Sequence, residues 1–197
     1  MSLNLEVPIG GGANPVNAAL QYQDLLGWTY DPYIVVHNAY TNSVGQLNLM
    51  RIPLPAVTTI TNVLCEVTAL GLTLTHAYLG LYSSAGVVIG QTADQSTPWG
   101  ATGATGVYTL PLIGGPYVCT PLAANDFLWA ALYTGTFVTS PSFSAVVYSS
   151  TALMNAGCSL LRYRAAQRGI GNVAILPTVN PNGGLTQSNN PFWMAIS

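Results

Sequence analysis

Short runs rich in β-branched and aromatic residues recur along most of this chain, cut apart by Gly, Pro, Ser and Asn. The clearest are Gln46–Ile52, Thr58–Leu70, Thr75–Ser83, Val87–Thr92, Val107–Leu110, Phe127–Thr134 and Phe143–Tyr148. Runs of this kind bounded by turn formers predict strands, and a succession of them predicts an all-β sandwich or barrel. Several runs also show the period-two alternation of a pleated strand. In Thr75–Tyr82, Ala77, Leu79 and Leu81 point one way and His76, Tyr78 and Tyr82 the other. In Phe127–Tyr133 both sets are apolar, which predicts a central strand or one covered on both faces. In Thr58–Val67, Thr59, Thr61, Val63, Cys65 and Val67 alternate with Ile60, Asn62, Leu64 and Glu66. Ser83–Gly86 is a hairpin loop, and Ala93–Gly106 is expected as an exposed loop.

The ends of the chain read differently. Residues 1–43 are expected as a docking or oligomerisation arm, with 44–197 as the sandwich. The alternative is that the arm is the first edge of the sandwich. Within the arm, Asn14 can cap a helix, Pro15 suits its first position and Gly27 can stop it, so a helix is predicted over 15–26. Three turns are too short to stand alone, so this helix must pack on something. Val16, Leu20, Leu25, Leu26, Trp28 and Tyr30 are the expected assembly contacts. The tail passes a polar loop at 177–191 and ends on Phe192-Trp-Met-Ala-Ile-Ser, which predicts a last strand at 191–197.

Composition narrows the function. Only 5% of the 197 residues are charged against 50% hydrophobic, and there is no lysine. Soluble domains carry about 25% charged residues. So few charges point to a surface buried against copies of itself or other subunits, the alternative being a stable fold with a Thr/Ser/Asn/Gly surface. A net charge of −2 with no basic stripe argues against nucleic-acid binding. The longest uncharged stretches, Val67–Ala93 and Gln95–Asn125, are broken by polar residues and glycines, so no membrane-spanning helix is expected. The N-terminus shows no basic region followed by an apolar core, so no secretory signal is expected. Cys65, Cys119 and Cys158 lack metal-site spacing and are expected as buried thiols of a reducing compartment.

No nucleophile-elbow, zinc-protease or calcium-loop pattern is present. The chain is therefore expected not to be an enzyme and to need no cofactor or metal. His37 and His76 are expected as structural histidines. Glu66, Asp94 and Asp126 are the acids from which a glycosidase pair would have to come. Sugar binding is the more serious option, because a pyranose stacks its C–H face on an exposed aromatic ring while polar side chains orient its hydroxyls. Trp99, with Asp94 and Gln95 in the glycine-rich loop, and Tyr78 and Tyr82 on the less apolar strand face, are the candidates. The structural alternative has Trp99 plugging the sandwich edge and the tyrosines packing between subunits.

Three stretches carry a resemblance: Leu54-Pro-Ala-Val-Thr-Thr-Ile-Thr-Asn-Val, Gly80-Leu-Tyr-Ser-Ser-Ala-Gly and Gly90-Gln-Thr-Ala-Asp-Gln-Ser-Thr-Pro-Trp99. So do Phe127-Leu-Trp-Ala-Ala-Leu-Tyr, Ala156-Gly157, Ile175-Leu-Pro and the ending Phe192-Trp-Met-Ala-Ile-Ser. Together, over roughly 46–197, they resemble a β-sandwich domain of minor tail proteins of actinobacterial phages. The resemblance implies a virion structural protein, often at the host-facing end of the tail. Many such relatives continue into collagen-like or fibrous repeats. None occurs here, which leaves the tail tube, baseplate and head surface all open. The expectation is thus an antiparallel jelly-roll-like sandwich, whose double sheets protect their edges and present loops at one end. It is expected to be a homotrimer assembled in the bacterial cytoplasm into the virion, binding other virion proteins and a host-surface glycan. A capsid-decoration or head-fibre subunit without ligand is the alternative, and a glycan-active enzyme a third.

Overall fold

The computed structural model of the protein describes residues 25–32, 35–54, 56–122, 126–146, 164–181, 183–188 and 190–197. They form antiparallel β-structure, consistent with a β-sandwich. The first sheet holds β1 (Gly27–Trp28), β2 (Val35–Thr41), β5 (Asn62–Ala69), β8 (Gly106–Pro111), β11 (Ser142–Val146) and β14 (Met194–Ile196). The second holds β3 (Gln46–Pro53), β6 (Ala77–Ser83), β7 (Val88–Gln91), β10 (Phe127–Thr134), β12 (Ala165–Gly169) and β13 (Thr186–Gln187), in the order β13-β12-β3-β10-β6-β7. A small ribbon pairs β4 (Thr58–Ile60) with β9 (Tyr117–Cys119).

One face of each sheet meets the other over a shared core. Val63, Cys65 and Val67 of β5, Phe143 and Ala145 of β11, and Met194 and Ile196 of β14 come from the first sheet. Met50, Ile52, Leu79, Leu81, Leu128, Ala130 and Leu132 come from the second. Burying each of these larger side chains contributes about 1.5–3 kcal/mol relative to exposure. The alternation read from Thr75–Tyr82 is realised: Leu79 and Leu81 enter this core while Tyr78 and Tyr82 leave on the other face. β10 lies between β3 and β6 and is buried at every position. Its second face, Phe127, Trp129 and Tyr133, joins Tyr78, Tyr82, Leu47 and Leu49 in a second core roofed by Leu176 and Val179. The roof is tied down by Tyr82 Oη donating to Pro177 O at 3.2 Å and by Val173 N donating to Tyr133 Oη at 2.8 Å.

One expectation about the ends needs correction. Leu25 and Leu26 are not helical, and Gly27 opens a strand instead of stopping a helix. Leu26 N donates to Ile196 O at 2.8 Å. Glycine is needed at 27 because a Cβ there would lie 2.6 Å from Cγ2 of Ile52. The rest of the expected helix, with Val16 and Leu20, lies outside the described residues. The 43/44 boundary falls in the turn between β2 and β3, and the strands before it belong to the first sheet, β1 pairing with β14 and β2 with β11, as in the alternative that makes the arm an edge of the sandwich. The expected last strand is present as β14, paired with β5. Ser83–Gly86 joins β6 to β7, with Gly86 at φ 80°.

Candidate functional site

The residues singled out from the sequence do not converge on one open site. Trp99 is fully buried. Its ring meets Phe143 edge-on at 5.2 Å and Tyr108 at 6.3 Å, so it offers no face to a sugar. The loop expected to be exposed carries it inward: Gly71 N donates to Trp99 O, and Tyr108 Oη donates to Pro98 O and Ala104 O. Gln95 is also buried, with Nε2 donating to Ala93 O at 2.8 Å. Tyr82 is buried under the Pro177 carbonyl.

Asp94 and Tyr78 do come together, with His76. Asp94 Oδ2 lies 2.8 Å from His76 Nδ1 and accepts from Tyr78 Oη at 3.2 Å. Asp94 Oδ1 accepts from Ala77 N at 3.1 Å and Ser96 N at 2.8 Å. This is an Asx-type turn that pins the loop after β7 onto the start of β6. Burial alone would raise the Asp94 pKa, but the hydrogen bonds from His76, Ser96 and Ala77 outweigh it and hold the carboxyl below its usual range. Burial, then the adjacent Asp94 charge, pushes the Tyr78 phenol up to about 12, so it remains a donor at neutral pH. His76, Tyr78 and Tyr133 stack in near-parallel sequence, each neighbouring pair 6.1 Å apart. The ring edges are held from below by Gly171 O and Val173 N on Tyr133 Oη. The cluster is a latch between loop and strand, built from polar tips on aromatic bodies.

Asp126 has a similar job. Its carboxylate accepts from Leu122 N and Phe127 N, each at 2.8 Å, at the entry to β10. Glu66 differs. It projects from the outward face of β5, pairs with His37 Nδ1 at 3.0 Å and accepts from Ser144 Oγ. These two groups border an open groove of ≈ 210 Å³ lined by Pro32, Val35, His37, Glu66, Val107 and Trp193. Sequence reading placed His37 and Glu66 separately and missed the groove.

The assembly residues divide as well. Tyr30 is buried in the shared core with the Arg164 guanidinium 4.5 Å over its ring. Leu25 and Trp28 pack half-buried against that core, and of the assembly residues among the described residues only Leu26 is exposed. Tyr30 is thus an intramolecular contact, because β1 carries it across β14 and the end of β3. Cys65 and Cys119 are buried free thiols, and burial raises the pKa of both. Cys158 lies outside the described residues. Among the described residues, no group of three His, Cys, Asp or Glu is placed to hold a metal ion, and no helix is long and apolar enough to cross a membrane.

In comparisons with known proteins, no family model matches the chain and no curated protein matches it significantly.

Proposed function

We propose that the chain is a structural subunit of a bacteriophage virion, in the minor tail or tail tip, working by binding and not by catalysis. One observation carries this reading. Large apolar side chains stand exposed on a protein in which 5% of residues are charged: Val44, Leu72, Val118, Leu122, Val138 and Ile175 among them. With so few charges to keep such a surface soluble, these side chains are read as contacts with other proteins. The ribbon supplies a local case. Thr59 and Val118 are cross-strand partners on its outer face, while Ile60 and Cys119 point into the core. The carboxylates favour binding over hydrolysis, since Asp94 and Asp126 are spent on turn geometry. The motif resemblance over 46–197 supplies the phage setting. In this reading the two sheets form a jelly roll, the subunit is a homotrimer, and its partners are other virion proteins and a host-surface glycan.

The test is the mass in solution, by light scattering, of the full chain and of a chain starting at Leu25, which retains β1 and β2. A trimer for the full chain supports the reading. If the shorter chain is then monomeric, residues 1–24 are the assembly element. A full chain that stays monomeric at all concentrations removes the self-trimer and shifts the exposed apolar surface to contacts with other virion proteins, as in a decoration subunit.

A further inference from the structure

On the outward face of the first sheet, four strands contribute one transverse row. Val107 of β8 and Glu66 of β5 are cross-strand partners. Trp193 precedes Met194, which pairs with Cys65; its indole is buried, 8% exposed, and reaches the groove only as part of the lining. On the far side, Ser144 of β11 donates to Glu66 Oε2, and His37 of β2 faces Glu66 Oε1. Pro32 and Val35 wall the resulting groove.

We propose that this groove is a saccharide subsite, taking one neutral hexose or N-acetylhexosamine ring of a surface glycan. The proposal rests on the reading of the chain as a binding subunit and gives that reading its site. Three features choose this ligand. First, exposed Val107, half-buried Val35 and Pro32, and the small accessible part of the buried Trp193 supply apolar contact for the C–H face of a ring. Second, Glu66 and His37 together are ambivalent. The carboxylate only accepts, whereas the imidazole, with Nδ1 turned to Glu66, has Nε2 left to accept or donate according to its protonation. Hydroxyls, which both donate and accept, match such a pair. Third, a purely apolar ligand would strip water from a carboxylate whose side chain is 25% exposed and return no hydrogen bond. A cation would meet a single carboxylate already engaged by two donors. The groove volume of ≈ 210 Å³ lies below the roughly 300 Å³ at which pockets for drug-sized ligands begin. One ring fits it, with the rest of the glycan running over the sheet.

The experiment uses the full chain and a panel of glucose, galactose, mannose, N-acetylglucosamine and their short oligomers, read by saturation-transfer NMR and calorimetry. At least one member is expected to bind. His37→Ala, at a side chain that is 66% exposed and so costs little stability, should weaken it by about tenfold, the equivalent of one ligand hydrogen bond. Glu66→Gln should act in the same direction, and Asp94→Asn, in the latch, should leave the affinity unchanged. Failure of the whole panel to bind, binding untouched by His37→Ala, or binding lost in Asp94→Asn alone would overturn the subsite. Light scattering on the same samples separates the two ideas. A trimer that binds no sugar overturns the subsite and leaves the assembly reading standing. A monomer that binds sugar through His37 supports the subsite and removes self-trimerisation.

Discussion

The outward faces of the two sheets differ in whether the chain covers them. On the second sheet, Tyr78, Tyr82, Phe127, Trp129 and Tyr133 point away from the shared core, and the chain from 170 to 179 folds back to bury them. On the first, Val35, Val107 and Trp193 flank a groove that the described residues leave open. Aromatic residues outside a sandwich core are therefore not in themselves a binding surface. What decides is whether the chain supplies its own roof. The roofed face spends its polar tips internally, on Pro177 O, Gly171 O and Asp94. The open face keeps one carboxylate and one imidazole at the edge of solvent.

This contrast can be broken by substitution. The largest effect is expected for Trp129→Ala under the roof, about 3–5 kcal/mol by denaturant unfolding. Val107→Ala on the open face should stay within about 0.5 kcal/mol. Equal losses at the two positions would show that both faces are covered in solution.

The roof itself is tested at Gly80, where a Cβ would collide with Cδ1 of Leu176. Gly80→Ala should cost about 1–3 kcal/mol through overpacking, and Leu176→Ala about 2–3 kcal/mol through the cavity it leaves. The double variant should cost less than the sum, since the second change makes room for the first. Strict additivity would mean that the 170–179 segment does not sit on β6.

A smaller loss than under the roof is expected at the latch. The Asp94 pKa is lowered in the fold, so its contribution is fully present above the ordinary value of 3.8 and is lost as pH falls through the folded value. Its side chain is 33% exposed, so solvent screening limits Asp94→Asn to about 1 kcal/mol at pH 7. The gap between variant and parent should close as the solution is acidified below pH 3.8. A gap that persists or widens in acid would show that the carboxylate charge is not what holds the loop.

Much of the fold could be read from the sequence because alternation is a local signal. β10 was recognisable as a doubly covered strand from its two apolar sets, and β6 divided its faces as its sequence indicates. Of the two readings of Trp99, sugar platform or plug, burial fits the plug; the first was open because its neighbours, Gly100 and Gly103, look like an exposed flexible loop. They are instead the small residues a tight turn requires: a Cβ on Gly103 would strike the Pro98 carbonyl. The turn exists to deliver the indole into the core. Tyr78 and Tyr82 looked accessible because a hydroxyl reads as polar, although only the tip of each ring needs a partner. The groove left no local mark. Its residues lie at 32, 35, 37, 66, 107 and 193 and meet only because β5 takes β8 on one edge and β14 and β11 on the other. Gly27 satisfied a helix-stop rule while its real constraint, contact with Ile52, lay on another strand.

The most direct test of the contrast uses the four tryptophans, Trp28, Trp99, Trp129 and Trp193, as reporters of the two faces and the core. Their indole N–H signals can be followed by NMR in the full chain during titration with the tightest-binding sugar of the panel. The account predicts that Trp193 shifts with saturation while Trp99 and Trp129 stay fixed. Shifts at Trp99 or Trp129 with Trp193 unmoved would contradict it, placing the binding surface in the loop or on the face that the chain has roofed.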